Sequence, residues 1–576
     1  MTTVISTRPD FPSGETDAVV VHHVDELLPD GVAINYHPAW YGTTEHARPS
    51  AEAHAMDHYS GLARIELEYT CSPYREDKSL KPVELSYQHS TPLITFAALV
   101  QSWEAGNLSA LWVRSYDVRL QRNRKIYEWH QQYGDIIAIA PGQVSVSSLS
   151  CTREIYSIAG RHPKSAYFDH FSTYGCRCIF TTRGCREHRM MRKRTFQLYQ
   201  PKSIYRPSII EPIRTLASAT IRQMCARMGA HQKEVTVNVL TYCNRFSFDN
   251  STRLALGARH SSHAMKGSPL DTWMLDGWEE SELWDNLAAN VPLLHSAVKH
   301  LWRRFSGDAN FLSNDERLQQ WTTEQLDLAL HEPHTVTKDS LLGWLLEAKS
   351  EDGARLSRSE IAEEIIDNIL AAQATVTLAL TFSLWDLACN SQWQEMLREE
   401  LRRLPAGEDG FPTFESVIAA PILDSCTRES SRIHPLSSGH AERVVPIKKL
   451  YDGVMLPAGV TISASTLALH HSATAFEDPY SYRPGRWLQA EAAQRSLMEK
   501  HHMPFGYGAR FCLGATFALV QIKMLVAFIV LRLELRPDPS SPTDHHSMDQ
   551  LDTQNALPRG LRCDLSIREI DLLSQG

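Results

Sequence analysis

Phe505-Gly506-Tyr507-Gly508-Ala509-Arg510-Phe511-Cys512-Leu513-Gly514 sets one cysteine among glycines, with an arginine two residues before it. An apolar segment of helical period, Ala515 to Leu533, follows at once. A cysteine just ahead of a helix sees amide N–H groups and the positive end of the helix dipole. Both favour thiolate over thiol, and thiolate is the form that ligates a metal. Gly506 and Gly508 let the backbone turn tightly beneath a flat cofactor. Arg510 carries a planar fork of donors that matches a carboxylate. The same residues could instead form a strand-to-helix turn around a buried, inert cysteine, so the rest of the chain has to decide.

The pattern F-x-x-G-x-R-x-C-x-G resembles the haem-binding signature of the cytochrome P-450 (haem-thiolate) monooxygenases, and every fixed position is met here. The resemblance implies a mostly α (α+β) fold. A long central helix would lie over haem b, beside a small β-rich subdomain. Cys512 would be the axial ligand of the haem iron, and dioxygen would bind on the opposite face.

Three further motifs stand in the family's order. His188 and Arg192 lie four apart in a basic run and would share a helix face. That face is either solvated or, by resemblance, directed with Arg510 at a haem propionate. Ser357 to Asn390 reads as one long buried helix, with Ser357 or Ser359 as its cap and Glu360, Glu363 and Glu364 in its first turns. Its middle, Ala371-Ala372-Gln373-Ala374-Thr375-Val376-Thr377, resembles A-G-x-D/E-T-T. Thr375 takes the place of the threonine beside bound oxygen, where it can loosen the helix locally and pass protons. Its plain reading is a hydroxyl bonding back to a carbonyl one turn earlier. Ala372 replaces the usual glycine and Ala374 the usual acid, which leaves Thr375, Gln373, water or substrate to carry protons. Glu429 and Arg432 resemble the family's E-x-x-R pair. Arg486, in a variant P-E-R-F motif where Gly485 and Trp487 replace Glu and Phe, would complete a buried structural network. Arg443, at the entry to a strand, is either an exposed arginine or a second propionate partner.

The chain has 576 residues, 43% of them hydrophobic, and a net charge of −9 with the signs interspersed, which argues against a nucleic-acid partner. Eleven cysteines are thinly spread and no secretory signal is legible, so reduced thiols facing the cytosol are expected. Cys176, Cys178 and Cys185 lack the second half a zinc site needs. Residues 1–118 read as an atypical, partly disordered N-terminal region and 119–576 as the haem domain. The segment 91–113 is a degenerate membrane candidate with Glu104 near its centre. Its plain and favoured reading is a soluble helix, with an interfacial segment as the other alternative. Strands are expected at 136–140 and 144–146, and again near 443–465 and 531–568.

The resemblance implies insertion of one atom of O2 into a lipophilic small molecule. No flavin segment is legible after the haem domain, so electrons are expected from a separate NADPH-cytochrome reductase. Family analogy places the protein at the endoplasmic reticulum, with peripheral membrane contact. Pro484-Gly485-Arg486-Trp487 and His470-His471 resemble filamentous-fungal members, many of which oxidise terpenoids, polyketides or alkaloids. Substrate contacts are expected from 163–185, 255–300, 436–440 and 554–559. Two other readings stay open. Ala374 motivates a haem-thiolate isomerase, dehydratase or phenol-coupling oxidase, and the other is a non-catalytic haem-binding protein.

Overall fold

The structure is a computed structural model, and it describes residues 2–7, 19–24, 83–84, 110–228, 233–306, 314–350, 353–436 and 441–570. Two helices form the core. The first, Arg358–Cys389, is 32 residues long, about 48 Å at 1.5 Å per residue. It opens on a capping box: the Ser357 side chain accepts from the Glu360 amide, and the Glu360 carboxylate accepts from the Ser357 amide at 2.8 Å. It is apolar on nearly every side, as a helix buried all round must be. The second, Ala515–Arg532, starts directly after Gly514 and is buried along most of its length. Both are long and apolar enough to cross a membrane, yet most of each is packed inside the protein. They are core helices.

The helix Val239–Leu256 packs along the central helix through polar contacts. Ser247 Oγ lies 2.6 Å from Thr377 Oγ1, and Gln373 Nε2 donates to Asn244 Oδ1. The expected hairpin is present as Ile136–Ala140 and Gln143–Val146, turned at Gly142 with φ 70°. It belongs to a four-stranded sheet in which Thr461–Ala464 pairs parallel with Gln143–Val146 and antiparallel with Arg443–Val444. A three-stranded antiparallel sheet joins Leu533–Pro537, Asp564–Glu569 and Glu234–Asn238. These are the small sheets beside a helical body that the sequence predicts.

Residues 1–118 were expected to form a separate region, and most of them, including nearly all of the membrane candidate 91–113, lie outside the described residues. Of those described, the helix Leu111–Val118 packs on the body: Asn286 Nδ2 donates to Asp117 O at 3.0 Å, and Arg114 Nη1 to Asn290 Oδ1 at 3.1 Å. The ten cysteines among the described residues are all free thiols, and no metal-holding group of His, Cys, Asp and Glu occurs among those residues.

Candidate active site

The loop that carries Cys512 is closed by its own backbone. The Cys512 amide donates to Phe505 O at 2.9 Å, and Phe511 N to Gly508 O at 3.1 Å. Gly506 and Gly508 have φ of 73° and 68°, a region that other residues enter only with strain. Gly508 also meets a neighbour: a Cβ there would sit 2.2 Å from Tyr156 O. The Cys512 side chain is exposed, yet it is desolvated by the protein around it. Together these observations place the thiol at the wall of an internal space rather than on the outer surface.

Burial pushes the Cys512 thiol up, while the Gly514 amide and the charge of Arg192 pull it down. The helix terminus alone therefore does not produce the expected thiolate. Coordination to a metal ion deprotonates a thiol outright, so the thiolate state and iron binding come together.

On one side of this space stands a group of cations. His188 is buried in the helix Cys185–Thr195, and its ring makes no hydrogen bond to the described residues. Burial is the main cause that lowers its pKa to about 3, and Arg510, Lys164, Arg192 and Arg443 add to it. Three arginines, and Lys164 with its own pKa pushed well down by burial and by Arg443 and Arg510, thus face one neutral imidazole. Arg510 gives three of its donors to the carbonyls of Thr182, Arg183 and Gly184 at 2.8, 2.7 and 3.3 Å, tying the cysteine loop to the start of the basic helix. Arg443 is buried on its edge strand and bonds Ala441 O and Glu442 O. Lys164 bridges to Arg443 across strands and lies between the rings of Phe168 and Phe180, 3.9 and 4.1 Å from their centroids.

Lys164 was not singled out by the sequence, because a lone lysine in a loop carries no spacing signal. Among the described residues, no carboxylate lies within ion-pair distance of Lys164, Arg192, Arg443 or Arg510. Buried cations need a counter-charge, and the two propionates of haem b are such a counter-charge, next to a cysteine of the right chemistry. The residues fit the group.

On the other side, the central helix turns Ala371, Thr375 and Ala379 toward open space, while Gln373, Ala374, Val376, Thr377 and Leu378 are buried. These three are four residues apart and form one stripe. Thr375 Oγ1 donates to Ala371 O at 2.7 Å, the back-bond of the plain reading. The helix is α-helical throughout, so the local loosening expected at Thr375 is absent. Gln373 is also corrected as a proton carrier. It points away from the stripe, into the contact with Asn244.

Glu429, Arg432 and Arg486 come together as expected. Arg432 Nε and Nη2 donate to Glu429 at 3.0 and 2.9 Å, and Arg486 Nε at 3.0 Å. Trp487 Nε1 joins them at 2.9 Å, so the tryptophan in the phenylalanine position adds a bond that the motif does not announce. His470 is a second such residue. Its Nε2 accepts from the Met503 amide at 2.8 Å and its Nδ1 faces Arg432 O. That pair fixes a neutral ring protonated on Nδ1, consistent with its strongly lowered pKa from burial. The chain Glu429–Arg432–His470–Met503 leads into the cysteine loop.

The four segments expected to contact substrate also converge. Tyr167 donates to Gln554 at 2.9 Å, Asn555 to Glu282 at 2.9 Å, and the Ala556 amide to Leu436 O at 2.9 Å. Residues 437–440 lie outside the described residues.

Known proteins agree with this geometry. Residues 105–556 match the family model for cytochrome P450. The chain is 36% identical over 463 residues to the cytochrome P450 monooxygenase FGM1 of Gibberella zeae, covering 80% of this chain and 90% of that one. It is 25% identical to the cytochrome P450 monooxygenase BOT4 of Botryotinia fuckeliana, over 73% of this chain and 78% of that one. Among solved structures, the retinoic acid bound cyanobacterial CYP120A1 superposes with a TM-score of 0.61 at 19% identity, covering 78% of this chain and 94% of that one. With a cysteine loop, a cation group and an open helix stripe arranged for haem b, the chain belongs to the cytochrome P450 family of monooxygenases.

Proposed function

We propose that this chain inserts one oxygen atom of O2 into a lipophilic secondary metabolite of terpenoid, polyketide or alkaloid type, using electrons from a separate NADPH reductase. The observation that carries the reading is the meeting of the four variable segments beside an aromatic group, in which Phe171 packs edge-on against Tyr167 and Phe180. An aromatic wall with a few polar groups suits a lipophilic ligand that bears few hydrogen-bonding atoms. When bound, haem b supplies the dioxygen activation and atom transfer to carbon. The protein supplies everything around it. Cys512 would ligate the iron, Arg192, Arg443, Arg510 and Lys164 would face the propionates, and the neutral His188 ring would offer them a hydrogen bond. Thr375 holds a hydroxyl at the oxygen side, and the buried helices exclude water.

A cleft on the outer side of the cysteine loop supports the reductase reading. Its lining includes Arg153, Lys500, Glu499, Tyr507 and Phe511, two cations and one carboxylate beside two exposed rings. The test is reconstitution. Reduced protein with CO should absorb near 450 nm, and turnover of a lipophilic panel should require both NADPH and reductase. A band only near 420 nm would favour the non-catalytic haem binder, and turnover without NADPH the isomerase, dehydratase or phenol-coupling reading.

Membrane contact, left open at segment 91–113 by the sequence, finds a candidate in the helix Pro292–Ser306. Leu293 and Phe305 are 73% and 79% exposed, with Leu301 and Trp302 between them and His300 and Arg304 beside them. An apolar face with basic flanks suits the surface of an anionic bilayer. Flotation with phosphatidylserine vesicles should carry the protein upward, and a Leu293→Glu/Phe305→Glu variant should stay behind. Equal flotation of both proteins would exclude this helix as the contact.

A further inference from the structure

Trp487, in the phenylalanine position of its motif, and the His470-His471 pair do more than brace the cysteine loop. They belong to one file of rings. The Trp487 and His502 centroids are 5.1 Å apart, and those of His502 and His470 are 5.3 Å apart. His471 follows His470 in the chain and stacks on Tyr480 at 5.4 Å. These are contact distances for aromatic rings. The file ends on a pair of phenols, with the Tyr480 and Tyr127 oxygens 2.6 Å apart. Its inner end sits at the base of the cysteine loop. His470 Nε2 accepts from the Met503 amide, Met503 O from the Gly506 amide, and Phe505 O from the Cys512 amide. Its outer end is in solvent, where Tyr480 is 64% exposed.

We propose that this file carries oxidising equivalents from the haem site to Tyr480, where the protein oxidises phenols at its surface at the expense of hydrogen peroxide. The inference rests on the haem-thiolate site and not on the lipophilic substrate. Peroxide needs two electrons and two protons to become two waters, and the chain has to pass those electrons inward. Trp487 gives up an electron first, and Tyr480 refills it through the three imidazoles between them. The Tyr480 hydroxyl proton leaves to solvent and replaces one that peroxide takes up. With that hydrogen gone, the Tyr127 hydroxyl is the donor across the 2.6 Å contact, and it holds the phenoxyl oxygen. An outside phenol then returns one electron and one proton to Tyr480 and departs as a phenoxyl radical. Two such rounds reduce one peroxide to two waters and oxidise two phenols.

The surroundings suit each step. The Trp487 indole N–H donates to Glu429 at 2.9 Å, and a carboxylate partner favours the cation that an indole becomes on losing an electron. Arg432 and Arg486 share that carboxylate, and Arg428 lies 5.7 Å from the ring, so the pull is partial. A phenylalanine there would offer neither the bond nor an oxidisable ring. The three imidazoles are neutral. Burial lowers His471 to about 4 and His502 to about 3, and it holds His470 far below its ordinary range. Imidazolium rings in the file would repel the positive charge that has to pass.

The test uses haem-loaded full-length protein without lipophilic substrate. It is given hydrogen peroxide and a nitroso spin trap, and peptide mass spectrometry locates the adduct, counted per bound haem. A phenol coupled to dextran, too large to enter the haem pocket, serves as reductant in a parallel assay. Wild type should carry the adduct on Tyr480 or Tyr127 and oxidise the dextran phenol. A Tyr480→Phe/Tyr127→Phe variant should keep its CO spectrum, oxidise the dextran phenol about tenfold more slowly and bleach its haem faster in peroxide. Trp487→Phe should lose the Tyr480 adduct, and so should His471→Leu, which touches none of the bonds to Glu429. A wild-type adduct confined to other residues overturns the proposal, as does dextran-phenol oxidation that the double variant leaves unchanged. A Tyr480 adduct retained per haem in His471→Leu overturns the route. Wild type without a thiolate CO spectrum overturns the haem site itself, and that failure shows before any peroxide is added.

Discussion

A Cys512→Ser variant is expected to keep its fold and lose reductase-driven turnover by at least about a thousandfold, roughly 4 kcal/mol in the barrier. The two side chains differ by one atom, and the loop does not depend on the sulfur. Its closure uses the Cys512 amide and Phe505 O, and its turns use Gly506 and Gly508. What changes is the ligand. A thiolate donates electron density that favours O–O cleavage, and a serine hydroxyl, far harder to deprotonate, does not replace it. Burial already disfavours the thiolate of Cys512 against the pull of Arg192 and Gly514, so an alkoxide in the same place is disfavoured further. The reduced CO spectrum should lose its band near 450 nm, while circular dichroism stays unchanged. A retained thiolate-type spectrum would remove Cys512 as the ligand.

Much of this was legible in the chain because it is local. The glycines, arginine and cysteine of the 505–514 loop lie within ten residues, and the central helix announces itself by a cap and 32 residues without a break. What the sequence hid is tertiary. Lys164 joins the cation group only because its strand partner is Arg443. Trp487 reaches Glu429 across 58 residues, and His470 reaches the Met503 amide across 33. No periodicity marks such contacts. Gln373 shows the converse error. Two positions along a helix rotate a side chain by about 200°, and that step carries it from the open stripe to the packed side against Asn244. The Pro292–Ser306 helix was likewise covered only by a broad range, because exposure of its apolar face depends on what fails to cover it.

Glu429→Gln tests how far the hidden brace matters, and a loss of about 3–5 kcal/mol is expected, the usual cost of uncompensating a buried ion pair. Glu429 and Arg432 are both fully buried. The carboxylate accepts five bonds, two from Arg432 and one each from Arg486, the Trp487 indole and the Arg483 amide. Arg432 in turn spends every N–H: two on Glu429 and the rest on the carbonyls of His470, Pro479 and Ser481. Glutamine preserves the volume, yet it turns one acceptor into a donor that faces donors and leaves two guanidinium groups without their anion. Domains are commonly stable by only about 5–15 kcal/mol, so the loss is large. It should also reach the haem, because Arg432 holds the carbonyl of His470 and the His470 ring holds the Met503 amide, two residues before Phe505. Urea unfolding of the holoprotein should show the lowered midpoint, and haem per chain after purification should fall with it. If Glu429→Gln binds a full equivalent of haem and unfolds within about 1 kcal/mol of wild type, the network is a spectator, and the Cys512 loop owes its shape to its glycines and backbone bonds alone.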